Sequence, residues 1–227
     1  MVVFTDREAD AKRLAQECER ASITVVKTDT LGWPDATLLR YRLIASARYT
    51  VEGEVVMHLD ADMRVVAPVG PELTPWSWHG GIALVRHPGF YRGNRYSAFV
   101  TRHPRLAVTD LKGWLLRERG VGQWETREES RAYVPPQRRQ EYVCGGVWFG
   151  RTAEFLSMVD TLARRTDADL RDGVVARWHD ESHLNWFAAH HEVSVLSPSY
   201  CYGQGLASLR GVVPKIVALE KGDVRVR

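Results

Sequence analysis

The chain has 227 residues, with 31 Lys and Arg against 28 Asp and Glu and a formal charge of +3. At 44% hydrophobic and 26% charged it has an ordinary globular composition, which excludes disorder and fibrous repeats, and +3 over this length is no nucleic-acid footprint. The length suggests one large domain or two small ones, and a globule of this size buries roughly 70–75% of the surface its unfolded chain exposes.

Val2-Val3-Phe4 is a short apolar run that ends in Thr5-Asp6, a strand followed by a helix cap. A helix over residues 7–20 follows, with Ala11, Leu14 and Cys18 on one face, and then a β-branched strand at Ile23-Thr24-Val25-Val26. Asp35 caps a helix that runs to about Ala47 and carries an apolar stripe of Leu38, Leu39, Tyr41, Leu43 and Ile44. Val55–Leu59 alternates little and predicts a buried central strand. Strand and helix alternate with short links, an α/β signature with a largely parallel sheet, in which ligands bind beyond the carboxyl ends of strands.

Beyond residue 62 the pattern loosens. Ile82–Val85 reads as a strand, residues 87–96 as a Gly- and Tyr-bearing loop, and residues 104–131 as a charged surface excursion with a short helix near Leu111 and Trp114. Glu141–Phe149 reads as a strand broken by Gly145-Gly146, then helices fit 152–164 and 180–190, with a strand at 193–196. The tail from Lys215 has a short strand and a basic end. Cys18, Cys144 and Cys201 cannot all pair and show no C-x-x-C spacing, which suits a reducing compartment. No apolar run approaches the roughly 18 residues of a membrane span, and the start lacks a signal-peptide core, so a cytoplasmic, unanchored protein is expected.

Two constellations could carry chemistry. Asp60-Ala61-Asp62 ends the apolar strand, where two carboxylates can converge in a turn. Held about 4 Å apart at an effective dielectric near 20, they repel by about 4 kcal/mol. A divalent cation turns that repulsion into binding, and hard oxygen ligands suit Mg²⁺ or Mn²⁺ on a diphosphate. The plain alternative is a solvated, capping loop. The second is Trp178-His179-Asp180-Glu181-Ser182-His183-Leu184-Asn185. Its two His at i, i+4 invite the zinc-protease pattern H-E-x-x-H, but Glu181 lies about 100° around a helix from where that base belongs. The plain reading is a helix N-terminus capped by Asp180, whose backbone N–H groups would also suit an anion.

That eight-residue block resembles the signature of the ABO histo-blood-group type glycosyltransferases, glycosyltransferase family 6, retaining α-1,3 enzymes that use UDP-galactose or UDP-N-acetylgalactosamine. Val3-Phe4-Thr5-Asp6, Leu59-Asp60-Ala61-Asp62-Met63, His87-Pro88-Gly89-Phe90-Tyr91, Ala132-Tyr133-Val134-Pro135 and Leu196-Ser197-Pro198-Ser199-Tyr200 follow in the family's order. The resemblance implies a GT-A-type α/β fold and one glycosyltransferase domain over 1–227. About 1–66 would be the nucleotide-binding part and about 80–227 the donor-sugar and acceptor part. An excursion would lie near 101–124 and a lid at 215–227.

The resemblance also implies residue roles. Asp60 and Asp62 match the Asp-x-Asp that holds Mn²⁺ (or Mg²⁺) against the UDP diphosphate. Arg40 matches an Arg on the donor sugar, His179 and Asp180 match residues on the donor phosphate and sugar hydroxyls, and Glu181 matches the carboxylate proposed as nucleophile. His87 and Trp178 match acceptor-site residues, and Lys221 and Arg227 match tail residues that fold over the UDP phosphates. Cys144, Gly145 and Gly146 match three positions that tune the donor sugar. Gly146 tilts the expectation toward N-acetylgalactosamine, since a methyl forced into a tight pocket costs about 1–3 kcal/mol. The partners implied are a UDP-GalNAc or UDP-Gal donor and a galactoside-containing oligosaccharide acceptor.

Four departures qualify the match. Relatives carry a larger residue or His at Cys144, an acid at Ser199, and a further strand–helix unit ahead of the segment matching Val2–Asp6. The fourth is the excursion near 101–124. Without that first unit a sheet edge and apolar surface would be exposed, so poor solubility, edge-to-edge dimerisation or weak UDP affinity is expected. A bacterial, anchor-free member is the leading reading. The alternative is a non-catalytic sugar- or nucleotide-binding homologue.

Overall fold

The computed structural model describes residues 1–19, 21–70, 72–91, 120–206, 209 and 211–220. The β-branched pairs at the start form two parallel strands, β1 (Val2–Thr5) and β2 (Thr24–Lys27), linked through helix α1 (Glu8–Glu17). Glu8 and Asp10 in the first turn of α1 suit its positive dipole end. The expected apolar face is only partly right. Ala11, Ala15 and Cys18 are half-buried at i, i+4, i+7, whereas Leu14 is 58% exposed.

The helix expected from Asp35 to Ala47 is divided at Leu39 into α2 (Asp35–Leu38) and α3 (Arg40–Ser46). Asp35 is the first helical residue rather than the cap, and Leu38, Tyr41 and Ile44 are buried. β3 (Val55–Leu59) and β4 (Met63–Val65) follow, then β5 (Ile82–Arg86) and the long β6 (Val143–Arg151). Helices α4 (Thr152–Arg171) and α5 (His179–His190) precede the short strands β7 (Ser194–Leu196), β8 (Tyr202–Gly203) and β9 (Ile216–Ala218). α4 runs seven residues past its expected end at 164.

Among the described residues the main sheet has the order β3-β6-β5-β7, and a smaller one has the order β4-β9-β8. The mixed α/β architecture is the expected one, but the strand directions are not largely parallel. β6 is antiparallel to both β3 and β5, while β5 and β7 are parallel. The reason is local. His87, just past β5, donates its N–H to the carbonyl of Tyr142, just before β6, at 2.9 Å. The chain therefore leaves and re-enters the sheet at the same end, which is hairpin geometry with a long connection. β3 is correspondingly the edge strand of its sheet rather than a buried central one, with Val55 and Met57 exposed.

Alternation along β5 and β6 builds two cores. Ile82, Leu84, Val143 and Trp148 face α3, α4 and α5, where they meet Tyr41, Ile44, Phe155, Met158, Leu162 and Leu184. Ala83, Val85, Cys144, Val147 and Phe149 face the other way, onto Tyr200, Cys201 and Ile216. Both strands are thus buried on both faces. No helix among the described residues is long and apolar enough to cross a membrane.

Trp148 is the largest side chain of the first core. It is fully buried, stacks on His58 at 4.5 Å and Phe155 at 4.6 Å, and donates its indole N–H to the carbonyl of Gly145 at 3.1 Å. Trp148→Ala should lower stability by about 3–5 kcal/mol, the range for deleting a buried aromatic. Urea denaturation checks this, and a loss below about 1 kcal/mol would show that the cavity collapses freely.

Candidate functional site

Gly145 and Gly146 do not break β6; the strand runs through them. Their missing side chains are what other elements approach. A Cβ on Gly145 would lie 3.2 Å from Asp180 Oδ2 and 3.3 Å from Glu181 Cβ, and one on Gly146 would lie 3.2 Å from Asp60 Oδ2 and inside the Met63 methyl. The two glycines therefore form a floor with α5 on one side and the Asp-x-Asp turn on the other.

That turn is set by β3. Leu59 pairs with Val147, Asp60 donates its N–H to the Gly146 carbonyl at 2.9 Å, and the Asp60 carbonyl accepts from Met63 N–H at 3.2 Å. Asp62 follows in the same turn, half-buried, with its carbonyl accepting from Leu219 N–H. The start of α5 is stapled to the sheet by Asn185. Its amide accepts from Val143 N–H at 2.9 Å and donates to the Val143 and Glu181 carbonyls at 2.8 and 2.9 Å. Tyr41 hydroxyl donates to the Asp180 carbonyl at 3.0 Å, and Trp178 N–H donates to Ser182 Oγ at 2.9 Å. Asp180 is the second residue of the helix rather than its cap. His179 begins the helix at φ 46°, a left-handed backbone that costs of order 1–3 kcal/mol outside glycine and persists where surroundings over-determine it.

Arg40 sits at the centre. Its Nη1 lies 3.0 Å from Asp60 Oδ1 and 3.1 Å from Asp180 Oδ2, and donates to the Gly145 carbonyl at 3.1 Å. Burial opposes its charge, but the two carboxylates outweigh burial and hold the guanidinium charged. Burial also works against ionised Asp60, yet the His58 ring at 3.1 Å and Arg40 together hold it below the usual carboxylate range. One cation does not suffice for both acids. Burial, with Asp60 as a like charge, lifts Asp180 to about 6 against the pull of Arg40.

Glu181 is gripped at both oxygens. Gly145 N–H donates to Oε2 at 2.8 Å and the Tyr142 hydroxyl donates to Oε1 at 2.9 Å. Burial still wins and raises its pKa to about 7, with Asp180 adding to the rise.

The structure thus brings Arg40, Asp60, Gly145, Gly146, Asp180 and Glu181 together. Cys144 points away from Asp180 and Glu181, into the second core beside Cys201. His87 lies on the far side of Tyr142, with ring centroids 5.8 Å apart, and its Nδ1 accepts from Gly89 N–H at 3.1 Å. Burial keeps that ring neutral, so Nε2 carries the proton and can donate. Trp178 is 43% exposed ahead of α5, and His179 meets Trp33 edge-on at 5.0 Å. Lys221 and Arg227, with residues 101–119 of the excursion, lie outside the described residues. Among the described residues no three His, Cys, Asp or Glu side chains form a metal cage. Sequence reasoning missed Tyr142, His58 and Tyr41. Only adjacency signalled them, since His58 is two residues before Asp60 and Tyr142 two before Cys144.

Residues 100–227 match the sequence model of glycosyltransferase family 6. The chain belongs to glycosyltransferase family 6. It is 27% identical over 231 residues to histo-blood group ABO system transferase 1 of Rattus norvegicus, covering 99% of this chain and 58% of that protein. It is 27% identical over 174 residues to globoside alpha-1,3-N-acetylgalactosaminyltransferase 1 of Canis lupus familiaris, covering 75% and 42%. Against O-antigen biosynthesis glycosyltransferase WbnI of Escherichia coli it is 30% identical over 79 residues, 35% of this chain and 34% of that one. The chain therefore spans a little over half the length of the ABO transferase it matches. In this family 6 chain the matched segment takes in β6 and α5, and so the glycine floor and Glu181, while Arg40 and Asp60 reach the site from outside it.

The raised carboxyl of this family 6 site has a stability consequence. With a folded-state pKa of about 7 against 4.5, Glu181 contributes stability fully present below pH 4.5 and lost as pH rises through 7. In urea denaturation, Glu181→Gln should gain on wild type by roughly 2–3 kcal/mol between pH 5 and pH 8. A pH-independent difference would mean that burial does not raise this group.

Proposed function

We propose that this chain is a retaining α-1,3-glycosyltransferase that moves N-acetylgalactosamine or galactose from a UDP-sugar to a galactoside-containing glycan acceptor. The observation that carries the reading is the convergence, in a family 6 chain, of Arg40, Asp60, Asp180 and Glu181 on the Gly145-Gly146 floor. The relative named globoside alpha-1,3-N-acetylgalactosaminyltransferase 1 supports the linkage and the donor class.

Asp60 and Asp62 would hold a divalent cation, Mn²⁺ or Mg²⁺. The donor set fits. Asp60 Oδ1 is taken by Arg40 and His58, while Oδ2 lies against the glycine floor. Two hard carboxylates, with no third acid clustered beside them among the described residues, would leave coordination positions for diphosphate oxygens and water. Bound there, the ion would offset charge that accumulates on the diphosphate as it leaves.

The chain's own residues do the rest. Arg40, fixed by three acceptors, orients donor-sugar hydroxyls without reorganising. Asp180, on the same guanidinium, accepts from sugar hydroxyls. His179 and, in the tail, Lys221 and Arg227 add charge-assisted contacts to phosphate and exclude water. Glu181 is poorly solvated as an anion, so it gains most when positive charge develops on the ring beside it. Retention then follows either from a covalent bond between Glu181 and the anomeric carbon or from same-face attack on a short-lived ion pair. His87 and Trp178 would receive the acceptor.

The test is turnover. With Mn²⁺, UDP-GalNAc or UDP-Gal and plain or fucosylated β-galactosides, UDP release should accompany an α-linked product, stop with EDTA and return with excess Mn²⁺. Glu181→Ala should lower transfer on the order of 10²–10³-fold, the range for losing one charge-stabilising group. A β-linked product, or no turnover with any donor, overturns the reading. Gly146→Ala should lower use of UDP-GalNAc relative to UDP-Gal by roughly 5–100-fold, the effect of about 1–3 kcal/mol of crowding. An unchanged donor ratio would remove position 146 from sugar selection.

A further inference from the structure

Tyr142 belongs to no motif in the sequence, yet it touches the carboxylate at the centre of the site. It is 2% exposed and ends the approach to β6. Its ring is held edge-on by Trp124 at 5.1 Å and 90° and by Phe90 at 5.1 Å and 78°, with His87 at 5.8 Å. The backbone of Gly122 lies against it so closely that a Cβ there would fall within 2.4 Å of Tyr142 Cδ2. The ring has no room to turn.

Its hydroxyl has one proton and two acceptors within reach, Glu181 Oε1 at 2.9 Å and the Gln123 carbonyl at 3.4 Å. A core tyrosine needs only one backbone acceptor to be satisfied. Here the shorter contact goes to the carboxylate, and a hydrogen bond to an ionised acceptor is roughly twice as strong as a neutral one. The Gly145 N–H takes the other oxygen at 2.8 Å. A free Glu side chain samples several rotamers; two rigid donors, one on each oxygen, leave one.

We propose that Tyr142 is a positioning residue for Glu181: its caged hydroxyl fixes one carboxylate oxygen while the Gly145 amide fixes the other, aiming the carboxylate at the donor sugar. The inference rests on the proposed role of Glu181 and names the device behind it. Because the Tyr142 carbonyl also accepts from His87 N–H, the same residue ties the proposed acceptor side to the donor side.

The hydroxyl also biases ionisation. The groups facing Glu181 are Asp180 on its own helix, Arg40 and Tyr41 on α3, and Gly145, Tyr142 and Cys144 at β6, while Arg177 acts on Tyr142. Removing the hydroxyl takes away one of the two donors that counter burial.

Tyr142→Phe keeps the ring and deletes only the O–H. The expected result is a kcat for transfer at pH 6.5 lower by about tenfold or more, with donor and acceptor KM within about twofold, and an acidic limb of kcat moved up by about one pH unit. A second readout needs no turnover: in ¹³C NMR of the Glu carboxyl carbons, with Glu181 assigned by its disappearance in Glu181→Gln, the midpoint should rise by a similar amount. If Tyr142→Phe does not fold, Trp124→Phe, which loosens the cage and keeps the hydroxyl, should give the same two shifts at smaller size. Unchanged limb and midpoint with a raised KM or lowered Tm would overturn the proposal and leave Tyr142 a packing residue. If Glu181→Ala abolishes transfer while Tyr142→Phe matches wild type, this inference alone fails. If Glu181→Ala leaves transfer intact, the functional reading fails and this one with it.

Discussion

The site depends on the backbone of one residue, Gly145. Its carbonyl accepts from both Arg40 and the Trp148 indole, and its N–H donates to Glu181. The absent Cβ lets the first turn of α5 come close enough for that last bond to form. A core side chain, the Arg40 guanidinium and the Glu181 carboxylate are therefore referenced to the same few atoms. Displacing this residue would disturb all three at once.

Charge is distributed unevenly around that residue. Arg40 bridges Asp60 and Asp180, whereas Glu181 is held by N–H and O–H donors and makes no ion pair among the described residues. The consequences differ by residue. Asp60 stays readily ionised because Arg40 and His58 reach the same oxygen, while Asp180 and Glu181, more deeply buried, hold protons toward neutrality. In the proposed reaction this suits a ligand that brings its own cation and then becomes positive at the sugar.

Much of this was legible in the residues. The short β-branched runs gave β1, β2 and β5, the Asp60-x-Asp62 pair did fall in a turn at a strand end, and the Trp178–Asn185 block did begin a helix. What the block concealed was its division of labour. Asp180 and Glu181 line the floor, whereas Asn185 staples the helix to β6 and His183 is fully buried. The sheet directions were not legible, because antiparallel entry of β6 is decided by where the two ends of a connection of more than fifty residues meet, at His87 and Tyr142. The edge position of β3 was hidden for a related reason. An apolar run with weak alternation looks the same whether its second neighbour is present or not. Contacts with long sequence separation, such as Arg40 to Gly145 and Tyr142 to Glu181, leave no periodic trace at all.

The contrast between the doubly buried β5–β6 pair and the opening β1–α1–β2 unit sets a hierarchy of local opening. α1 buries none of its side chains, and no residue of β1 or β2 is fully buried, so that unit opens at less expense in apolar contact than the β5–β6 pair. Amide protons there would exchange with solvent long before those of β6. The glycine floor and its clamp sit on the slow-exchanging half of the molecule, and Arg40, at the head of a buried helix, moves with it rather than with the unit that precedes it in the chain.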